Sequence, residues 1–465
     1  MALTVSLDEI VTGGNALLAI KPHWKRVRLG DVGQVLNGYA FKADLFNRDS
    51  GMPLVRIRDV GSAASETFYS GDYDERYVVT AGDLLVGMDG DFNCARWRGP
   101  RSLLNQRVCK ITVDETLYLP RFLDYVLPGY LKAINDATSS ITVKHLSSRT
   151  IQDIPLPLPP MDEQREIVSE IEKQFSRLDE AVASLQRVKA NLKRYKAAVL
   201  KAAVEGRLVV TEASLAHREG RSYETGEQLL QRILQERPKQ WSARGPCAEP
   251  LSAVRNGLPS LPEGWTWASL DQLSDFITKG TTPSAQKLFD GSGEVQFLKV
   301  YNLTFDGSLN HRYKPAFVSR ETHSNELARS KVRPGDVLIN IVGPPLGQVS
   351  VVPEQMAEAN INQAIARIRP IAPLRYQFIS LALMCDDVMR WAIRRGKTTA
   401  GQANLTLELV RALPIPLPPL AEQTRVADEV DRRLSIVREV EAEVDANLQR
   451  AQALRKATLG AAFRH

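Results

Sequence analysis

The sequence predicts an α+β fold written twice. Two globular units of mixed α/β structure are separated by two long helices that pair as an antiparallel coiled coil, with a pseudo-twofold axis relating the copies. Three observations predict this. A proline-rich run occurs twice, a heptad pattern of helix length follows each run, and strand and turn signals precede each run in the same order.

The repeat is read first. Ile154-Pro155-Leu156-Pro157-Leu158-Pro159-Pro160-Met161-Asp162-Glu163-Gln164 returns as Leu413-Pro414-Ile415-Pro416-Leu417-Pro418-Pro419-Leu420-Ala421-Glu422-Gln423, at an offset of 259 and with seven of ten positions identical from Pro155 to Gln164. The same offset maps residues 198–203 onto 457–462, so no insertion or deletion falls between. A helix whose length matters behaves this way, and a loop does not. Upstream the match weakens and drifts. Trp24 and Leu29 match Trp265 and Leu270 at 241, Gly82-Asp83 matches Gly335-Asp336 at 253, and Asn105-Gln106 matches Asn362-Gln363 at 257. Boundaries follow: a first globular unit at 1–157, a long helix at 158–206, a linker with a short helix at 207–262, a second globular unit at 263–416, and a second long helix at 417–465.

Within the globular units, Leu54–Val60 alternates apolar and basic residues as a half-buried strand does, and Phe297–Tyr301 is its counterpart. Ala81-Gly82-Asp83 and Pro334-Gly335-Asp336 are turn signals ahead of the apolar strands Leu84–Val86 and Val337–Ile339. Leu374–Arg395 has helical spacing. The proline runs predict an extended, polyproline-like path, because each proline locks φ and removes a donor. They end where Asp162 and Glu163 complement the dipole of a starting helix. In that helix Ile171, Phe175, Leu178, Val182 and Leu185 step by 4, 3, 4 and 3, which is a coiled-coil seam, and Val188, Leu192, Tyr195 and Val199 continue it. Val430, Leu434, Val437, Val440, Val444 and Leu448 form the second seam. At about 40 residues each helix would span roughly 60 Å. In the linker, Thr225 predicts the cap of a short helix carrying Leu229, Leu230, Ile233 and Leu234.

Composition excludes several classes. With 43% hydrophobic and 25% charged residues the chain is globular, neither fibrous nor wholly disordered. Cys94, Cys109, Cys247 and Cys385 form no CxxC pair, and the six histidines form no HExxH, so a zinc site has no support. Scattered thiols suit a reducing compartment, no apolar run reaches membrane-spanning length, and the first residues lack the order of a signal peptide, so a cytoplasmic protein without a membrane is expected. There is no GxxxxGK[ST] loop and no glycine-rich methyltransferase loop, so no ATP or S-adenosylmethionine site is expected on this chain. Asp89-Gly90-Asp91 suits a turn better than a metal site, and the serines beside His145 lack a nucleophile elbow. No catalytic and no metal-binding residue is expected.

Basic and aromatic residues carry the remaining signal. The net charge is +6, but residues 1–157 hold 18 basic and 18 acidic residues, whereas 265–418 hold 17 and 13. Arg96-Trp97-Arg98-Gly99-Pro100-Arg101 interleaves arginine with tryptophan in a loop-like setting; it suits either DNA contact through Arg96, Arg98 and Arg101 or a solvated loop anchored by its tryptophan. Lys279-Gly280-Thr281-Thr282 suits phosphate contact through Lys279, Thr281 and Thr282, or plain turn formation. The stretch from Arg394 to Asn404 gathers Arg394, Arg395, Lys397, Thr398, Gln402 and Asn404 between a helix and a strand and points to DNA contact. Its counterpart, Ser139–His145, is less basic and offers Lys144.

These motifs together resemble the specificity subunit of Type I restriction–modification enzymes. The resemblance rests on the duplicated proline run ending in Glu-Gln, the repeated Gly-Asp-[Leu/Val]-Leu strand, Leu261-Pro262-Glu263-Gly264-Trp265, and the T-x-x-G-Q-x-N stretch from Thr398 to Asn404, and it covers residues 20–465. It implies that each globular unit is a target-recognition domain reading one half of a bipartite site on double-stranded DNA. The helices would act as a ruler for the gap and as the dock for two methyltransferase subunits, through Ile171, Phe175, Leu178, Val182, Leu185, Leu192, Val430, Leu434, Val437, Val444 and Leu448. Restriction subunits would complete the complex. S-adenosylmethionine, Mg and ATP would sit only on those partners, and this chain would catalyse nothing. Two alternatives stay open on the sequence: a partner that fuses methylation and cleavage in one chain, and a coiled-coil scaffold with no DNA role.

Overall fold

The computed structural model describes residues 6–13, 18, 20–138, 144–241, 246–255, 257–343, 345–399 and 402–463. It divides into two compact units, residues 1–186 with 445–465 and residues 187–444. The first long helix, Met161–Val204, and the second, Leu420–Ala462, each contribute to both.

In the first unit a four-stranded antiparallel sheet has the order Gly33–Asn37, Val108–Val113, Leu84–Gly87, Cys94–Arg96. A five-stranded sheet has the order Phe46–Asn47, Phe68–Tyr69, Met52–Val55, Ser102–Leu104, Val78–Val79, and its one parallel pairing joins Met52–Val55 to Ser102–Leu104. The helix Pro120–Ala137 starts on a proline, where a missing N–H costs nothing, and buries Phe122, Leu123, Val126, Leu127 and Tyr130 in the unit's core.

The second unit repeats this strand for strand. Its four-stranded sheet is Thr278–Lys279, Ile365–Ile368, Val337–Asn340, Val349–Val351. Its five-stranded sheet is Phe289–Asp290, Ala316–Val318, Val295–Leu298, Ala359–Ile361, Lys331–Val332, with the same parallel pairing at its third and fourth strands. The two-copy α+β architecture read from the sequence is therefore present down to sheet order.

Four local expectations are corrected. The proline runs are strands, Pro155–Leu158 against Lys25–Arg28 and Pro414–Leu417 against Thr266–Ser269. Proline at every second residue puts each missing N–H on the edge facing away from the partner strand, so the intervening residues keep the ladder. The segment 54–60 is not one strand: Met52–Val55 gives way to a 3-10 turn at Ile57–Asp59, because the Asp59 carboxylate accepts from the Arg56 N–H at 2.9 Å and bends the chain. Phe297–Tyr301 breaks the same way, with Asn302 accepting from the Lys299 N–H at 2.9 Å. Residues 374–395 form two helices, Tyr376–Met384 and Asp386–Ile393, parted by the extended backbone of Cys385. The linker holds two helices rather than one. Glu212–Glu219 was not expected; Gly226–Gln240 was, with Thr225 and Gln228 as its capping box, but its Leu229, Leu230 and Ile233 are part of the second unit's core.

The long helices pair antiparallel within each unit. In the first, Arg455 bonds Asp179 at 2.6 Å and lies over the Phe175 ring, while Leu459 and Ala462 pack in the cluster of Ile167, Ile171 and Phe175. In the second, Lys196 bonds Glu441 at 2.6 Å, and Val199 and Ala203 pack with Val426, Val430 and Leu434. Ile171, Phe175, Val430, Leu434, Val437 and Val444 are buried, and Leu178, Val182, Leu185, Leu192 and Leu448 are half-buried. Val188, Tyr195 and Val440 leave the seam and are 39%, 43% and 38% exposed. Val188 and Val440 each follow two three-residue steps in a row, which turn the apolar stripe away from the partner helix.

The Glu-Gln at the start of each long helix ties it to its unit. Gln164 is fully buried: its Oε1 accepts from the Leu119 N–H at 2.7 Å, and its Nε2 donates to the carbonyls of Leu117 and Pro159 at 3.1 and 3.0 Å. Gln423, also fully buried, accepts from the Arg375 N–H at 3.4 Å and donates to the Pro418 carbonyl at 3.1 Å. Leu119 and Arg375 are the N-cap residues of the helices Pro120–Ala137 and Tyr376–Met384. Glu163 accepts from Trp24 Nε1 at 3.0 Å and Lys21 Nζ at 2.9 Å; Glu422 accepts from Trp265 Nε1 at 3.0 Å and the Glu212 N–H at 2.9 Å. The two carboxyls are shifted in opposite directions. Burial pushes Glu163 up, but the bonds from Lys21, Trp24 and His23 outweigh it and hold the group below its ordinary value. Burial pushes Glu422 up and wins over its bonds to Glu212 and Trp265.

Gln164→Ala removes the partner of the half-buried Leu119 N–H and is expected to cost about 1–2 kcal/mol in urea unfolding, against less than about 0.5 for the exposed Arg165→Ala. Glu163→Gln and Glu422→Gln are expected to show opposite pH trends in thermal unfolding. Folded Glu163 titrates below its unfolded value near 4.5, so its contribution is full above that pH and is lost as the pH falls. Folded Glu422 titrates above 4.5, so its contribution is full below that pH and is lost as the pH rises.

Candidate nucleic-acid interface

The same three segments meet at one end of the four-stranded sheet in each unit. In the first, Gly38 follows the strand Gly33–Asn37 and lies against the turn Asn105–Arg107, where a Cβ would fall 2.1 Å from the Asn105 carbonyl oxygen, so only glycine fits. The N–H of Gly38 donates to the Val108 carbonyl and that of Tyr39 to the Leu104 carbonyl, both at 2.9 Å. The third segment runs beside the turn: Met88 N–H donates to the Arg107 carbonyl at 2.9 Å, and Leu146 N–H to the Met88 carbonyl at 2.7 Å. An Asp89–His145 bridge completes the frame.

In the second unit a Cβ on Gly280 would fall 2.0 Å from the Ile361 carbonyl oxygen. Thr281 N–H donates to the Ile361 carbonyl at 3.1 Å, Ile341 N–H to the Ala364 carbonyl at 2.9 Å, and Leu405 N–H to the Ile341 carbonyl at 2.9 Å. A Val342–Asn404 bridge stands where Asp89–His145 does in the first. The backbone frame is thus common to both units.

What the frame presents differs. In the first unit it is Tyr39, half exposed and in ring contact with Phe41 and Tyr77, with exposed Gln106 and Arg107. Arg107 lies 3.5 Å from Asp89, whose other oxygen is 2.6 Å from His145 Nδ1. In the second it is Lys279, Thr281, Thr282 bonded to Gln363, and Asn404, whose Oδ1 accepts from the Gly343 N–H at 3.4 Å. A hairpin, Lys397–Thr399 against Gln402–Asn404, rises beside it. Among the described residues no group of three or more His, Cys, Asp or Glu could hold a metal, and no helix is long and apolar enough to cross a membrane.

Comparison with known proteins adds a family to this geometry. The model of the type I restriction modification DNA specificity domain matches residues 22–194 and 262–446. The chain belongs to the type I restriction–modification DNA specificity family. It is 36% identical over 471 residues, 99% of its own length and 90% of the relative's, to the type I restriction enzyme EcoBI specificity subunit of Escherichia coli. It is 22% identical to the EcoDI specificity subunit of the same organism, over 95% of this chain and 88% of that one. A solved structure from work on complex assembly and conformational transition of the type I R-M system shares the fold, with a TM-score of 0.61 at 20% identity over 96% of this chain and 98% of the other.

On this specificity-family frame the residues singled out in the sequence fall in several places. Lys279, Thr281, Thr282 and Asn404 come together. Lys397, Thr398 and Gln402 lie on the hairpin, and their side chains, like residues 139–143 and 400–401, are outside the described set. Lys144 is beside the frame, but its Nζ donates to the carbonyl and side chain of Asn135 at 2.7 and 3.0 Å. The Arg96 group is at the other end of the strand Leu84–Gly87. Arg96 is on a strand rather than a loop, opposite Leu84, and bonds Asp124 at 2.7 Å and the Pro120 carbonyl at 3.0 Å; Trp97 is buried, Arg101 pairs with Glu75, and Arg98 is exposed. Arg394 and Arg395 line a separate cavity. Sequence reading passed over Tyr39, Gln106, Arg107 and Gln363. The one signal was the repeated Asn-Gln at 105–106 and 362–363, read only as an alignment marker.

Gly38→Ala and Gly280→Ala are each expected to destabilise by about 1–3 kcal/mol through overpacking. Hydrogen exchange should quicken across residues 105–108 or 362–365 only in the unit that carries the change.

Proposed function

We propose that this chain reads a bipartite, asymmetric site on double-stranded DNA, one half with each unit, and that it docks two methyltransferase subunits and, through them, restriction subunits, while catalysing nothing itself. One observation carries the reading: a single backbone frame is built twice and presents a different set of hydrogen-bonding side chains each time. Two readers with a common mount and unlike tips suit two unlike half-sites.

In this reading Tyr39, Gln106, Arg107 and His145 face the first half-site. Lys279, Thr281, Thr282, Gln363, Asn404 and the hairpin with Lys397, Thr398 and Gln402 face the second. Glutamine offers a donor and an acceptor that match adenine, and arginine a fork that matches guanine, in the major groove. Lysine and threonine suit phosphate contact, which positions without specifying. Arg96 and Lys144 are left out because their donors are already engaged. The long helices, at 44 and 43 residues, set the distance between half-sites, and S-adenosylmethionine, Mg and ATP belong to the partners.

The test is a protection assay with the methyltransferase subunit added, across a salt titration. Two protected blocks with an unprotected spacer are expected, and no sequence-specific protection would overturn the reading. Arg107→Ala should cost about 1–3 kcal/mol of affinity and relax preference in one half-site only. Relaxation in both halves would contradict separate readers. Deleting seven residues from each long helix, 171–177 with 448–454, should change the spacer or abolish activity, and an unchanged spacer at full activity would remove the ruler.

A further inference from the structure

The second unit contains a cavity of about 650 Å³ between residues 257–261 and the helix Asp386–Ile393, a size at which sites commonly bury a ligand. Trp267 and Trp391 wall it, and Arg207, Arg390, Arg394 and Arg395 line it together with Glu205 and Asp387, Arg207 being paired with Glu205. Arg390 is paired with Asp387. Arg394 has no side-chain partner among the described residues, and Arg395 meets only Trp391, stacking 4.4 Å over its ring and bonding its carbonyl at 3.3 Å. The Trp391 indole N–H is buried and has no acceptor among the described residues.

The internal repeat shows what the equivalent place holds in the first unit. At the offset of 241, Trp267 corresponds to Arg26 and Pro259 to Leu18. The contact is the same in both: Arg26 donates to the Leu18 carbonyl at 2.8 Å, and Trp267 donates to the Pro259 carbonyl at 3.2 Å. Yet Leu18 is 1% exposed and Pro259 is exposed. Ahead of Leu18 the helix Leu7–Thr12 packs on Pro120–Ala137, the counterpart of Tyr376–Met384 and Asp386–Ile393 together. Leu7, Ile10 and Val11 face the core and Asp8 and Glu9 face out. The matching segment of the second unit, residues 248–253, goes elsewhere: Leu251 is tied to Asp271 and Ser269. At the offset of 259 the first unit has Leu131, Lys132, Asn135 and Asp136 where the second has Arg390, Trp391, Arg394 and Arg395. The uncovered place is also the more cationic one.

We infer that this cavity is the docking site for a short acidic amphipathic helix of a partner chain. Its apolar face would lie on the tryptophans and its carboxylates on Arg394 and Arg395, as Leu7–Thr12 lies on the first unit through Leu7, Ile10 and Val11.

The probe is a labelled peptide spanning residues 6–20 of this chain, titrated into the full chain and followed by fluorescence anisotropy. Saturable binding is expected. Arg394→Glu with Arg395→Glu in the chain, or Asp8→Lys with Glu9→Lys in the peptide, should each weaken it at least tenfold, and combining the two reversals should restore it. That restoration cannot come from the peptide displacing its own copy on the first unit, nor from a misfolded variant. Equal affinity in all four combinations, or no binding by the wild-type chain, overturns the proposal. So does a result in which the arginine reversals weaken a DNA duplex and leave the peptide unaffected.

Discussion

Two buried side-chain amides hold this molecule's parts in register. Gln164 and Gln423 stand in the first turn of the long helices, where the helix itself leaves backbone donors without partners. Each reaches out of that turn to the N-cap N–H of a core helix of the globular unit and back to the carbonyl of the proline that follows its own proline strand. A glutamine can do both because it carries an acceptor and a two-proton donor on one rigid plane. The neighbouring glutamate fixes a third element, the tryptophan that precedes the first strand. Two elements distant in sequence, and the strand just before it, are thereby set against the start of one helix. A helix meant to set a distance needs such a joint, since a long helix on a loose mount measures nothing.

The same joint tolerates opposite electrostatics. Glu163 is met by Lys21, Trp24 and His23 and is held below its ordinary value, whereas burial pushes Glu422 above it. Both carboxyls accept the indole N–H at 3.0 Å, so the geometry survives while the surroundings change. The interface frame follows a similar logic. Gly38 and Gly280 hold their place because the approaching carbonyl leaves no room for a Cβ, which is a demand on the backbone alone. The residues immediately after them, Tyr39 and Thr281, carry no such demand.

This contrast decides what could be read in the sequence. The helices, the Thr225 cap and the turns at Gly82 and Gly335 were legible because each depends on residues within a turn or a heptad of one another, and the repeat because its two copies keep the same residue types. The proline strands were not, since proline's φ suits an isolated extended path and a strand alike, and only the pairing with Lys25–Arg28, more than a hundred residues away, separates them. Arg96 looked available because its partner Asp124 lies on a helix the local pattern does not place beside it. Tyr39 and Arg107 went unseen for the converse reason. Neither belongs to a motif, and each gains its position from a turn and a bridge closed by distant strands.

The charge distribution sharpens the functional reading. The first unit's globular stretch balances 18 basic against 18 acidic residues, so it has no bulk field with which to attract a polyanion. Its frame presents one arginine already near a carboxylate, with a histidine sharing that carboxylate. Contacts of that kind discriminate through geometry and contribute little to long-range attraction. The second unit carries the surplus, and four of its arginines, Arg207, Arg390, Arg394 and Arg395, lie at the tryptophan-lined cavity rather than at the frame. If the frames supply the choice of bases, most of the phosphate-driven affinity must come from other chains, because neutralising phosphates takes cations that these two frames do not gather. On the proposed reading, such a subunit would select a site within an assembly instead of seizing DNA alone.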